Sequence, residues 1–226
     1  MKYHNVFEDS NTRKTGFLCR LINFLEDILE DAECRDILVE YNNREVVVQG
    51  VDCKYNLRES IELFQDKYSV NARVESIRGN SMFYLYHRVL EDYLENYHRR
   101  IIEHAWKTRE TNTEYYFGVT MNGVGFLLEG EEDRVVIPHI PLCISAHTHP
   151  HDNPLPSRKD WSAIKTLFTE GGVLHAIVTT QRSLVIHRTN PLTMRDYELL
   201  LEAEKPSNPL EVLTRLVSYS IKYIVI

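Results

Sequence analysis

The stretch from residue 142 to residue 168 constrains the fold of this chain more than any other. Two sets of side chains alternate at its start, Leu142, Ile144 and Ala146 with Cys143, Ser145 and His147. This period of two is that of a β-strand with one apolar face. Pro150 ends the strand because it has no N–H to give to a ladder, and the proline-rich loop HDNPLP turns the chain back. The segment WSAIKTLF then has its apolar residues at helical spacing, so the sequence predicts a strand, a stiff loop and a helix.

Four polar side chains in this stretch have the types and the spacing of a metal site. His147 and His149 are two residues apart, so they project from the same side of a strand that persists to its end. Ser157 is placed as the helix N-cap, with Asp160 in the first turn. Two imidazole nitrogens and one carboxylate oxygen can bind one cation and leave a fourth position open to water, which is typical of a catalytic zinc site.

These residues resemble the signature of a known family. The motif is HTHP at residues 147–150, then six residues, Ser157, two residues and Asp160. It resembles that of the JAMM (JAB1/MPN+) metalloproteases, and its HTHP and PSRKD wording is also similar to RadC-type proteins. The resemblance covers roughly residues 110–190, about a third of the chain. It implies an α/β fold, with a mixed sheet flanked by helices in a JAB/MPN-like, cytidine-deaminase-like layering.

The resemblance also implies a catalytic set and a substrate class. Members of the family are zinc isopeptidases that remove ubiquitin or ubiquitin-like modifiers, and they use a glutamate from an earlier strand as general base. Glu114 leads directly into the apolar run YYFGVTM and is our choice, with Glu110 and Glu129 as possible substitutes. Ser157 would donate a hydrogen bond to the oxyanion. Extended tails of ubiquitin-like proteins could add to a sheet edge near residues 123–137.

Composition sets limits on class and partners. The chain has 226 residues, 43% of them hydrophobic, and a net charge of −7. This acidic balance argues against bulk binding to nucleic acid or to an anionic membrane. Its four cysteines form no CxxC pair, and no apolar run approaches the roughly 18 residues of a spanning helix. We expect a cytoplasmic protein with free, mostly buried thiols.

The chain divides into two expected regions. Residues 1–108 should form an N-terminal α+β extension of unknown role, and residues 109–226 a JAMM-like metalloprotease domain with C-terminal helices. The elements expected in the first region are a helix over 15–33, a hairpin around Asn42 and Asn43, a helix from the Asn56 cap to about Tyr68, and the longest helix of the protein from Ser81 to about Thr108.

The second region should alternate between short strands and helices. The elements expected there are strands in YYFGVTM, VGFLLEG, RVVIPHI, CISAH, VLHAIVTT and SLVIHR, a helix over 158–170, and two closing helices over 193–204 and 209–221. The gap from Glu114 to His147 is short for the family, so we expect no helix in that connection. His139, His175 and His187 lie on expected strands and are more typical of satisfied or exposed histidines than of ligands.

The sequence thus favours a zinc-dependent metallopeptidase or isopeptidase with one zinc ion per chain. Zinc would be held by His147, His149 and Asp160, with Glu114 and Ser157 as catalytic residues. Ubiquitin-like conjugates or related peptides are the expected substrates, and a homodimer is one open possibility for the oligomeric state. The alternatives are a RadC-like protein associated with DNA repair and a non-catalytic MPN-type scaffold. A zinc deaminase and a HExxH protease are excluded, because their motifs are absent from the sequence.

Overall fold

A computed structural model describes residues 2–42, 45–130, 140–205, 209–216 and 220–226. The helices are α1 Ser10–Asp31, α2 Leu57–Tyr68, α3 Tyr84–Asn96, α4 His98–Thr111, α5 Arg158–Thr169, α6 Met194–Ala203 and α7 Pro209–Leu216. The strands are β1 Lys2–Phe7, β2 Asp36–Tyr41, β3 Val46–Val51, β4 Ala72–Val74, β5 Asn80–Ser81, β6 Tyr115–Thr120, β7 Gly125–Glu129, β8 Leu142–Thr148, β9 Leu174–Val178, β10 Ser183–Arg188 and β11 Ile221–Val225.

A seven-stranded mixed sheet forms the centre of the molecule. Its strand order is β1-β7-β6-β8-β9-β10-β11. Neighbours are antiparallel except for β8 and β9, which are parallel. A parallel pair needs a crossover connection, and α5 supplies it. This β8-α5-β9 unit returns the chain past the carboxyl end of β8, so the start of α5 lies beside the last residues of that strand.

Helices cover both faces of this sheet. On one face, Phe117 and Val185 are buried in a core shared with α1, α3 and α4. On the other, Tyr116, Leu184 and Ile186 are buried with α5, α6 and α7. Adjacent strand residues therefore enter opposite cores, as the pleat requires. The expected α/β class with a mixed sheet between helices is confirmed.

The N-terminal region contributes a second sheet and part of the first. β2 and β3 form the expected antiparallel hairpin within a sheet of order β4-β3-β2-β5. β1 instead pairs with β7 of the central sheet, and α1 packs against β6 and β8. The division at residue 108 stays a prediction. The described contacts join the region before it closely to the sheet after it.

The expected single helix over residues 81–108 is wrong. The chain forms α3 and α4, and Tyr97 between them has φ −121° and ψ −38°. The Tyr97 hydroxyl lies 2.9 Å from the Thr15 hydroxyl in the interior. α3 packs on α1 whereas α4 packs on β6 and β8, so the chain must change direction. No proline or glycine marks this break. The longest described helix is α1, with 22 residues.

The expected last helix over residues 209–221 is also wrong at its end. α7 ends at Leu216, and β11 begins at Ile221 and pairs antiparallel with β10. Residues 217–219 lie outside the described part of the chain. The alternation in IKYIV suits an edge strand, and pairing with β10 determines its structure. The helix expected over 193–204 is confirmed as α6.

The four cysteines are paired, so the expectation of free thiols is wrong. Cys19 on α1 is bonded to Cys143 on β8 across 124 residues, and Cys34 is bonded to Cys53. Spacing in the sequence cannot show these pairs, because the packing of α1 across β8 creates the first. The expected cytoplasmic location, which rested partly on free thiols, stays a prediction.

The expected binding of a substrate strand to a free sheet edge is contradicted for residues 125–129. Strand β7 pairs with β1 on one side and with β6 on the other, so it has no free edge over residues 125–129. Residues 131–137 of the expected docking edge, and most of the strand expected in RVVIPHI, lie outside the described residues. Between β6 and β8 the described residues form no helix, as expected for this short connection. No described helix combines the length and apolar character needed to cross a membrane.

Candidate metal centre

Three side chains meet at the carboxyl end of β8. His147 Nε2 lies 3.0 Å from His149 Nε2 and 3.1 Å from Asp160 Oδ1. His149 Nε2 lies 3.4 Å from Asp160 Oδ2. The group is the set of candidate ligands expected from the sequence, and it could hold a metal ion.

The local structure at the start of α5 fixes the position of the Asp160 carboxylate. Ser157 is the N-cap and Asp160 is the third helical residue, and together they form a capping box. The Asp160 N–H donates to Ser157 Oγ at 3.3 Å, and the Ser157 N–H donates to Asp160 Oδ2 at 2.6 Å. These bonds satisfy two of the free donors that begin a helix. The same contacts aim the carboxylate at the two histidines.

Each histidine ring is held through its other nitrogen. His147 Nδ1 lies 3.1 Å from His175 Nε2, and His175 Nδ1 lies 2.7 Å from Ser145 Oγ. His149 Nδ1 lies 3.1 Å from the main-chain oxygen of Asn153. A carbonyl oxygen can only accept, so Nδ1 of His149 carries a proton and its Nε2 has a free lone pair when the ring is neutral.

Burial and charge act together on the titratable groups. Burial raises the pKa of Asp160, but hydrogen bonds from His147 and His149 outweigh it and hold that pKa far below its usual range. Burial lowers the pKa of His149, but the bond to Asp160 and its charge outweigh it, so the net pKa is raised. Burial, with the nearby charge of His147, lowers the pKa of His175 to about 3, which keeps that ring neutral.

The donor set fits a small divalent cation. In a tetrahedral site with bonds of about 2.0–2.1 Å, ligand atoms lie about 3.3 Å apart. The Nε2 atoms of His147 and His149 are 3.0 Å apart, and His147 Nε2 is 3.1 Å from Asp160 Oδ1, both close to this value. His149 Nε2 faces the other carboxylate oxygen, Oδ2, at 3.4 Å. Without a cation, the free lone pair of neutral His149 would face a carboxylate, and the raised pKa shows that a proton relieves this contact. A metal ion would displace that proton.

A cleft of about 530 Å³ opens over the metal group. Glu114, Tyr116 and Ser157 line it together with the ligand candidates. Tyr116 lies opposite His147 in the β6 and β8 register. Glu114 comes one residue before β6. Its charge adds to that of Asp160 in raising the pKa of His149. The structure therefore brings all five sequence-predicted site residues to one cleft.

The alternative glutamates lie elsewhere. Glu129 pairs with Tyr115 in the sheet, and its charge acts on the Tyr115 hydroxyl. Tyr115 packs against His104 of α4, on the face opposite the cleft. Glu110 is an exposed residue of α4. Among the described residues that line the cleft, Glu114 is the only glutamate.

Two of the three other histidines on expected strands, His175 and His187, are buried and hydrogen-bonded. His187 Nδ1 bonds the Arg188 carbonyl oxygen at 3.2 Å on the far face of the sheet, and His139 lies outside the described residues. His175 is a satisfied histidine, as expected, but its contact with His147 was not foreseen. The signal was present, because a lone imidazole in the apolar run VLHAIVTT must find a partner when it is buried.

A cavity larger than this cleft lies away from the metal group. It has a volume of about 1160 Å³ and runs along α1 beside Arg188. Its carboxylates and basic groups are mixed, and Arg188 is paired with Glu26 at 2.5 Å. No candidate ligand of the metal group lines it. We place the functional site at the smaller cleft, because the three candidate metal ligands and the Glu114 carboxylate lie together there.

Comparisons with protein-family models, with curated proteins and with solved structures found no match. The resemblance to the JAMM family therefore rests on the motif at residues 147–150 with Ser157 and Asp160.

Proposed function

We propose that this protein is a zinc-dependent metallopeptidase or isopeptidase of the JAMM type. The observation that carries the proposal is the meeting of two histidines, one aspartate and one glutamate in a single cleft. Three protein ligands leave a coordination position for solvent, which distinguishes catalytic from structural zinc sites. A JAB/MPN-like fold for the central sheet and its helices is part of the same proposal.

His147, His149 and Asp160 would hold one zinc ion per chain. Two imidazoles and a carboxylate suit zinc, whereas magnesium and calcium favour sets made of oxygen alone. A zinc ion in such a site supplies Lewis acidity and a water acidic enough to ionise near neutral pH. The chain supplies the proton transfer, the orientation and the groove.

Glu114 is the proposed general base. Its carboxylate would accept a proton from the attacking water and later donate it to the leaving amine. It lines the cleft beside the candidate ligands, and its charge is one of the causes that raise the pKa of His149. It belongs to neither the ligand group nor an ion pair among the described contacts, so its oxygens are available for proton transfer.

Ser157 is the proposed donor to the oxyanion. Its oxygen accepts the Asp160 N–H in the capping box, which uses one lone pair, and its hydroxyl also bonds the Asp160 carboxylate. In the reaction this hydroxyl would turn from the carboxylate to the oxyanion. The side chain is exposed on the wall of the cleft. A hydroxyl can therefore act as helix cap and as oxyanion donor at the same time, and such a donor contributes about 10²–10³-fold to the rate.

Ubiquitin-like conjugates, or peptides related to their tails, are the proposed substrates in the cytoplasm. The chemistry at a lysine side-chain amide and at a main-chain amide is the same, so preference for one would come from the groove. Because β1 covers one edge of β7, a substrate strand would have to bind elsewhere than residues 125–129.

The test compares Glu114, which lines the cleft, with Glu129 of β7, which does not. Glu114→Gln should retain bound zinc and lower cleavage of a ubiquitin-like fusion by about 10²–10⁴-fold, the usual contribution of a general base. Glu129→Gln is the matched control and should cleave at the wild-type rate. Zinc content is measured alongside activity, so that loss of the base is not confused with loss of the metal.

Other results would contradict the proposal. Full activity in Glu114→Gln would remove Glu114 as base. Zinc binding with no cleavage of fusion or isopeptide substrates would favour a non-catalytic scaffold. Salt-sensitive DNA binding without peptidase activity would favour the RadC-like alternative.

A further inference from the structure

A line of hydrogen-bonding side chains runs from the metal group into the sheet. His147 contacts His175, and His175 contacts Ser145. The Tyr116 hydroxyl bonds to Ser145 in turn. Ser145 and His175 are each 1% exposed and His147 is 6% exposed. Nothing in catalysis as proposed above uses His175 or Ser145.

The sheet register makes this line possible. In the parallel β8 and β9 pair, Ser145 lies beside His175, and His147 follows two residues later on the same face. His175 therefore stands between a hydroxyl on one side and an imidazole on the other. Both of its nitrogens have partners, at 2.7 and 3.1 Å.

Metal binding fixes the direction of every proton in the line. If His147 Nε2 binds a metal, His147 Nδ1 must carry the ring proton and donate to His175 Nε2. His175 must then carry its proton on Nδ1 and donate to Ser145 Oγ. The Ser145 hydroxyl is left to donate to Tyr116. His175 and Ser145 then each donate once and accept once, so neither of these two buried side chains is left unpaired.

We propose that His175, anchored by Ser145, is a positioning residue that holds His147 as the Nδ1–H tautomer with Nε2 facing the metal. This inference rests on the proposed zinc site. Partners of metal-bound histidines orient the ring and raise its basicity, and their loss typically weakens metal binding about 10–100-fold. The neutral imidazole of His175 orients the His147 ring without adding a second negative charge beside Asp160.

The experiment measures zinc affinity by competition with a chelator. His175→Phe keeps a ring in the space but removes the acceptor, and it should weaken zinc binding about 10–100-fold. His175→Gln can place an amide oxygen near the position of Nε2 and should restore most of that loss. His187→Phe is the matched control, because His187 is also a buried histidine but lies on the opposite face of the sheet. It should bind zinc as the wild type does.

A spectroscopic readout separates positioning from simple packing. In the zinc-loaded wild type, the ¹⁵N shifts of His147 should show a protonated Nδ1 and a metal-bound Nε2. In His175→Phe the Nδ1 proton should lose its hydrogen bond. Circular dichroism of the metal-free variants checks that they fold.

The outcomes are distinguishable from those of the proposed function. Weakened zinc binding in His175→Phe with rescue by Gln supports the inference, even if no peptidase activity is found. Wild-type zinc affinity in His175→Phe overturns it, even if the protein is an active peptidase. Coordination through His147 Nδ1, or no zinc binding by the wild type, overturns it as well.

Discussion

The two histidines of the metal group are held by different parts of the molecule. His147 lies inside the sheet between β6 and β9, and a side chain of the neighbouring strand holds its second nitrogen. His149 lies just beyond the strand end, and the main-chain oxygen of Asn153 in the following loop holds its second nitrogen. Their side chains are 8% and 15% exposed.

This difference has consequences for how each ligand responds to substitution. The strand side depends on buried hydrogen bonds between side chains, which are costly to break singly. The loop side depends on the position of the main chain. That loop is tied down by Asp152, which accepts hydrogen bonds from Thr180 and Gln181 at 2.9 and 3.2 Å. We therefore expect large effects on the strand side and small, graded effects on the loop side.

Asp160→Asn should have the largest effect, because Asp160 serves both histidines. The amide can keep the helix cap but removes the anionic ligand, so zinc binding should fall by more than the about 100-fold expected for an outer partner. Asp196→Asn is the matched control, since Asp196 has the same place in the capping box of α6 and contacts no metal candidate. Competition with a chelator measures the zinc affinity of both variants. Equal zinc affinities would contradict the role of Asp160 as a ligand.

Ser145→Ala tests the strand side. It leaves the buried His175 Nδ1–H without its acceptor, which should cost about 1–3 kcal/mol of unfolding free energy. Zinc binding should weaken about tenfold, at the lower end of the range for such partners. Ser183→Ala, at a buried serine of β10, is the control. Denaturant titration and zinc competition measure the two effects, and a variant unchanged in both would show that Ser145 anchors nothing.

Asp152→Ala tests the loop side. Asp152 is exposed, and its ion pair with Arg109 spans 3.7 Å. Exposed pairs contribute about 0.2–1 kcal/mol, so zinc affinity should weaken by about fivefold at most. In high salt the wild type should approach the variant, because screening weakens the same contacts. A loss as large as that of Ser145→Ala would erase the distinction between the two sides.

Asn153→Ala should have the smallest effect. His149 bonds the main-chain oxygen of residue 153, which alanine retains. The lost side-chain bond to the Leu155 N–H is local and exposed. Zinc affinity should stay within about twofold of the wild type, as for most surface substitutions. A tenfold loss would mean that the side chain, and not the main chain, holds His149.

The features set by residues close together in the sequence could be predicted, and the contacts between residues far apart in the sequence could not. The ligand candidates, the Ser157 cap and the strand before Pro150 follow from alternation, capping and spacing within 27 residues of chain. His175 lies 28 residues beyond His147, and only the parallel register of β8 and β9 brings them together.

The errors have the same origin. The break at Tyr97 arises because α3 and α4 pack on different surfaces, while the helical periodicity of the sequence continues through it. The bond between Cys19 and Cys143 depends on how α1 lies on the sheet. β11 is a strand because β10 offers it an edge. Each is decided by tertiary packing, which local patterns do not encode.

The most direct test of the central claim is X-ray absorption at the zinc edge, on protein loaded with one equivalent of zinc. The account predicts two imidazole nitrogens and oxygen ligands at about 2.0–2.1 Å, one of the oxygens from solvent. Asp160→Asn should lose this spectrum and Asp196→Asn should keep it. A sulfur ligand at about 2.3 Å, a fourth protein ligand in place of solvent, or the absence of stoichiometric binding would contradict the account.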